Sequence, residues 1–221
     1  MSTEGTKAAR PRKRLSAEAR REVIEVAATE VFAQRGYHQA SMDEIARRSG
    51  VSVPVVYDHF RSKQDLHRRL LERHFASLRT IWHEQLAGDD PLEQRLARAI
   101  EAWFAYVQTH PYAWRMLFRD TTGDPQTEAI HLEVAAQSRA ALLPLVARES
   151  GPQNIAGSGD VALDMVWEVM RAVLQGLALW WYDHQRVPRD QLVATAMNAL
   201  WIGFERAQRG EAWEGVKGVT P

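Results

Sequence analysis

The sequence predicts an all-α protein of about nine helices. A small N-terminal three-helix unit with a helix-turn-helix precedes a larger helical body. Three observations point there. Apolar residues recur at helical spacing in segment after segment. Glycine, proline and capping residues fill every gap between those segments. No stretch of alternating polarity bounded by turns reads as a strand. With 221 residues, 45% of them hydrophobic, the chain can bury a core as one large domain or two small ones.

The elements follow in order. Residues 1–15 read as a disordered basic arm containing Arg10, Arg12, Lys13 and Arg14. Ser16 caps a first helix over about 17–35, with Val23, Ile24, Ala27, Ala28, Val31 and Phe32 at helical spacing and Gly36 as its stop. Ser41 and Glu44 have the spacing of a capping box, and Gly50 ends that second helix. Ser52 is placed to cap a third helix over about 53–59, with Pro54 in its first turn, where a missing N–H does no harm. Ser62 caps a fourth helix from Lys63 to about Ala87, and further helices fall near 92–109, 112–118, 126–149, 160–184 and 190–208. The reading divides the chain into the arm, a head over 16–62, a body over 63–210 and an irregular tail over 211–221.

Composition narrows the chemistry. There is no cysteine, which excludes disulfides, zinc–thiolate sites and cysteine nucleophiles and makes a reducing, cytoplasmic setting the default. The basic N-terminus is not followed by an unbroken apolar run, so it does not resemble a signal peptide, and no apolar stretch reaches the length of a membrane span. The zero net charge conceals an asymmetry: residues 1–75 carry 15 Lys/Arg against 10 Asp/Glu. A positive head on a negative body suits a polyanionic partner, although a basic arm can also serve only for solubility.

The second and third helices, about eight and seven residues long, could not stand alone in water. Their joint, "SGVS", is a short glycine-containing turn of the helix-turn-helix kind, whose second helix enters a DNA major groove. Val56 and Phe60 are four apart and share the inward face, leaving Ser52, Val53, Pro54, Val55, Tyr57, Asp58 and His59 outward. Valine and proline can meet thymine methyl groups, and Asp58 could accept from a cytosine amine. Ser41 and Lys63 stand at helix starts, where free amides favour phosphate. Tyr57 and His59 can add phosphate hydrogen bonds, Arg47, Arg48 and Arg61 add attraction, and the arm could reach a neighbouring groove. The alternative is a small helical subdomain with an ordinary polar surface.

The stretch "VIEVAATEVFAQRGYHQASMDEIARRSGVSVPVVYDHFRSKQDL", residues 23–66, resembles the TetR family of bacterial transcriptional regulators. The resemblance rests on Phe32, Gly36 and Tyr37, on Ser41, on Ile45 and Ala46, on the turn Gly50-Val51-Ser52, and on Tyr57, His59, Phe60, Ser62, Lys63 and Leu66. Val53 and Pro54 depart from the family pattern and make the tip of the reading helix apolar. The resemblance implies a homodimer that binds double-stranded DNA through a three-helix domain. It also implies a larger ligand-binding and dimerisation domain and, most often, a repressor released from a palindromic operator by a small molecule. Some members activate instead.

In the body, the helix over 160–184 is apolar almost all round and needs partners on more than one side. The last helix repeats small residues. Together they suggest an interface built from Trp167, Arg171, Leu174, Ala196, Leu200, Gly203 and Phe204. Trp103, Tyr106, Met116, Phe118, Trp167, Met170 and Trp180 could wall an apolar or aromatic effector pocket, with Glu101 or His131 as a polar anchor. Core packing is the competing role for each of them.

Enzyme motifs are missing. There is no GxGxxG, GxSxG, GxxxxGK[ST] or HExxH. Glu128 and His131 form a single ExxH, whereas a di-iron bundle needs the pair twice. No catalytic residue, metal or cofactor is expected. A helical binding protein or enzyme with a vestigial head remains the rival class.

Overall fold

The computed structural model describes residues 16–118, scattered positions between 125 and 140, and residues 160–208. The predicted basic arm (Arg10, Arg12, Lys13, Arg14), His131 and the predicted tail lie outside the described residues, as do the side chains of Phe118 and Phe204. Eight helices can be bounded: α1 (Ala17–Gln39), α2 (Met42–Ser49), α3 (Val53–His59), α4 (Lys63–Leu86), α5 (Leu92–Thr109), α6 (Pro111–Phe118), α7 (Asp160–Asp183) and α8 (Arg189–Gln208). The described positions between 125 and 140 are helical too, all but Pro125 within the helix predicted over 126–149. Among the described residues there is no strand.

The local signals work as caps. Ser16, Ser41 and Ser62 each accept a bond from the amide three residues on, at 3.1, 3.2 and 3.0 Å. Gly36 breaks α1 at φ 73, ψ 167, and one further turn follows it, so α1 runs past its predicted end at 35. Gly50 closes α2 in the left-handed region at φ 68, with the Val51 amide returning to the Ala46 carbonyl at 3.1 Å. That six-to-one bond and the inward-packed Val51 make a Schellman cap. A Cβ at position 50 would meet nothing within 4 Å, so glycine is required there by backbone conformation and not by space.

A single apolar cluster joins head and body. It runs from Ile24, Val31 and Phe32 of α1 through Ile45, Val56, Phe60, Leu66 and Leu70 to Phe104, Trp114, Trp181 and Ala196. Helix α1 packs on α6 as well as on α2 and α4, so the head touches the body directly. Val23 departs from its predicted side and is exposed.

Polar side chains fasten the ends. Buried Arg95 donates to the carbonyls of Leu86 (2.8 Å) and Asp90 (2.7 Å), closing the α4–α5 turn. Trp181 donates its indole N–H to the Val187 carbonyl at 2.8 Å. Arg189 reaches Glu101 and Gln108, both at 2.7 Å, and ties the start of α8 to α5.

Candidate functional site

Helix α3 has two unlike sides. Val56 and Phe60 are wholly buried, while Ser52, Pro54, Tyr57 and Asp58 are exposed, Tyr57 to 51%. Val55 and His59 lie at the edge, and Val53 is half-buried against the core, so it is less outward than its sequence position implies. Ser52 differs from expectation: its hydroxyl makes no cap bond with α3, and only its carbonyl accepts, from Val56 N–H at 3.2 Å. An exposed hydroxyl not used as a cap is available to a ligand at the mouth of the turn.

The cations around this face differ in availability. Arg47 is 77% exposed in its side chain, and its carboxylate neighbour Glu44 stands off at 3.9 Å. Arg48 is engaged by Glu44 at 3.1 Å and Glu30 at 3.8 Å. Arg61 is exposed beside α3. Ser41 is exposed, with its hydroxyl committed to the Glu44 amide. The ammonium of Lys63 turns inward and donates to the carbonyls of Tyr37, Ala40 and His38 at 2.8, 3.1 and 3.3 Å.

Two junctions on α4 escape sequence reasoning. Arg73 pairs with Glu25 of α1, a largely buried carboxylate that Arg21 also holds at 3.0 Å. The next residue, His74, is buried against α5, with Nδ1 2.6 Å from the Tyr106 hydroxyl oxygen. Adjacent residues of α4 thus grip the head on one side and the body on the other. Only the Arg21–Glu25 pair, at i,i+4, could have been read from spacing.

Burial, with smaller contributions from His110 and Arg73, pushes His74 down to about 4. Burial likewise pushes the Tyr106 hydroxyl up. The imidazole is therefore neutral near pH 7, and the tautomer it adopts sets which partner donates in the Nδ1–Tyr106 hydroxyl bond. The unfolded chain binds a second ring proton near pH 6.5 and the folded chain only near 4. Stability from this site is present above about 6.5 and is lost as pH falls toward 4, by about 3 kcal/mol in all. Urea unfolding of wild type and His74→Gln at pH 7.5 and 4.5 should show a shallower acid loss in the variant.

The predicted effector residues that are described occupy different settings. Trp103 and Met116 are buried core, with Trp103 edge-on to Trp114 at 5.0 Å. Tyr106 is committed to His74 and stacks on His110 at 4.2 Å. Glu101 is bound by Arg189 and is not a free anchor. Trp167 and Met170 are half-buried against the core. Trp180, a candidate for the pocket wall, lies on the surface, stacked on His184 at 4.0 Å, because it occupies the outer side of α7. A cation that sequence reasoning passed over, Arg115, is half-buried between α6 and α7. It donates to the Tyr182 hydroxyl at 3.2 Å, and its Nε is buried with no hydrogen-bond partner among the described residues.

The predicted interface also needs correction. Leu174 and Ala196 are buried inside the chain and cannot face another copy. Trp167 and Leu200 are half-buried, and Arg171 is exposed but tied to Glu168 and Gln175. Gly203 is exposed. The apolar surface left open instead is Val161, Met165, Val169, Leu179 and Trp180 on α7, with Ile202 beside Ala199 and Gly203 on α8.

A helix-turn-helix whose second helix shows a polar-edged outer face, fused to a helical body, defines a DNA-binding regulator. The comparisons agree and make the assignment specific. The profile of bacterial regulatory proteins of the tetR family matches residues 24–70, and that of the tetracyclin repressor-like C-terminal domain matches residues 92–203. The HTH-type transcriptional activator FasR of Mycolicibacterium smegmatis is 34% identical over 86% of this chain and 85% of its own. A TetR-like regulator from Rhodococcus sp. RHA1 superposes with a TM-score of 0.69 at 24% identity, over 87% of this chain and 99% of its own. The regulator FadR from Bacillus subtilis, in complex with stearoyl-CoA, gives 0.67 at 18% identity, over 86% and 98%. This chain belongs to the TetR family of transcriptional regulators and is not an enzyme. Among the described residues no helix is long and apolar enough to cross a membrane.

Proposed function

We propose that this regulator works in the cytoplasm as a homodimer on a palindromic operator, and that an effector with a long acyl chain sets its affinity for that site. The observation that carries the DNA reading is the division of α3 into a buried side, Val56 and Phe60, and an exposed side, Ser52, Pro54, Tyr57 and Asp58, with Arg47 and Arg61 alongside. The open apolar stripe on α7 and α8 supports the dimer, since two reading heads match half-sites about one helical turn apart. The FadR neighbour's stearoyl-CoA and the aromatic, aliphatic interior of the body support an acyl ligand. Arg115 has no carboxylate partner among the described residues and offers a cation for the anionic end of such a molecule.

The FasR relative is an activator, and we place activation ahead of the repression expected from the family at large. Selection of binding sites from a random duplex library should enrich a palindrome, and sequence-blind binding would end this reading. Stearoyl-CoA should then change affinity for the selected duplex; no change at saturation removes the acyl effector. Transcription in vitro from a promoter beside the palindrome gives the sign, with less transcript returning the choice to repression.

A further inference from the structure

We propose that Pro54 and Asp58 set the sequence that α3 reads: the Pro54 ring packs on a thymine methyl group, and the Asp58 carboxylate accepts from a cytosine amine about two base pairs away. This rests on the DNA-binding reading above and deepens it to a pair of bases. Helix α3 holds no Arg, Lys, Asn or Gln. The bidentate contacts that most often identify guanine and adenine are therefore closed to it. The hydroxyls of Ser52 and Tyr57 can donate or accept, so they discriminate poorly.

Pro54 is exposed and presents only carbon. Val53 packs on the core and Val55 is half-buried, so of the three apolar residues at the tip only Pro54 is open. The apolar group that a base pair shows in the major groove is the thymine methyl, and packing the ring on it takes both out of water. Asp58 is exposed too, and it has no hydrogen-bond or ion-pair partner among the described residues. A bare carboxylate on a DNA-facing surface is repelled by phosphate and loses water on docking, so it needs a donor. The donors in the major groove are the amines of cytosine and adenine, whereas guanine and thymine present acceptors. Adenine sets a ring-nitrogen acceptor beside its amine, which repels the second carboxylate oxygen, so cytosine is the better partner. Pro54 and Asp58 stand one turn apart on the same side of α3. That is about 6 Å along the helix, close to two base-pair steps of about 3.4 Å.

The test uses full-length protein, site selection and titration at physiological salt. Every enriched half-site should hold a thymine and a cytosine about two steps apart. Deoxyuridine in place of that thymine, in one half-site, deletes the methyl alone and should weaken wild type about fourfold, the transfer of one methyl group from water. Pro54→Ala, which the first turn of a helix accepts, should bind the thymine and uracil duplexes alike. A T·A pair in place of the C·G pair should weaken wild type about tenfold. Asp58→Asn should move the preference at that position from cytosine to adenine, the partner of an amide. The uracil series uses wild type, so it decides the methyl contact even if Pro54→Ala folds poorly. Wild type indifferent to uracil at every thymine of the half-site overturns the assignment. So does an Asp58→Asn variant with unchanged base preference, because a merely structural role moves the melting temperature and leaves that preference alone. If selection enriches no site at all, the DNA reading fails first and this assignment goes with it.

Discussion

Aspartate in place of both Met165 and Val169 is expected to leave a folded monomer with affinity for the two-half-site duplex lowered by about 10²–10⁴-fold. Each residue is 58% exposed, so neither substitution opens the core. The two residues are four apart on α7, on the stripe that continues to Trp180. Placing carboxylates there puts like charges opposite each other if a second copy packs on this face, and their desolvation has no compensating partner. The loss of affinity is the avidity of two linked heads, which disappears when the link does. Sedimentation should show the mass halved, circular dichroism should show the helix content kept, and titration of a single half-site should be unaffected. A variant that stays dimeric would place the interface elsewhere.

Phe60→Ala is expected to destabilise the protein by about 3–5 kcal/mol, whereas Tyr57→Ala changes stability by no more than about 0.5 kcal/mol yet weakens DNA binding. The two aromatics are three residues apart and have opposite situations. Phe60 is fully buried, with the guanidinium carbons of Arg21 and Arg69 at 5.7 and 6.0 Å from its ring centre. Its loss leaves a cavity between α1, α3 and α4 that a small head cannot easily collapse. Tyr57 is on the open side. Thermal and urea unfolding separate the pair on stability, and titration of the selected duplex separates them on binding. If Tyr57→Ala were as destabilising as Phe60→Ala, the two faces of α3 would be wrongly assigned.

The fold was legible wherever its causes are local. Ser16, Ser41 and Ser62 act within three residues, and Gly50 closes its turn through a backbone angle that its own residue type permits. Such signals give the helices, the turn and the sorting of Val56 from Tyr57. Ser52 shows the limit even there: its type and position fit a cap, but its hydroxyl does not make the bond.

What the sequence by itself determined is which residues share a helix and which share a face. Spacing of 3.6 residues per turn follows from the backbone alone. Only the tertiary structure decided which apolar face meets the chain's own core and which stays open. A helix apolar nearly all round, like α7, satisfies its period with either side inward. Packing against α6 and α8 buried Leu174 and left Met165 and Val169 outside. The tertiary structure likewise joined Lys63 to Tyr37, Arg73 to Glu25 and His74 to Tyr106. Those partners are tens of residues apart, and the approach of whole helices, which no local propensity encodes, brings them together.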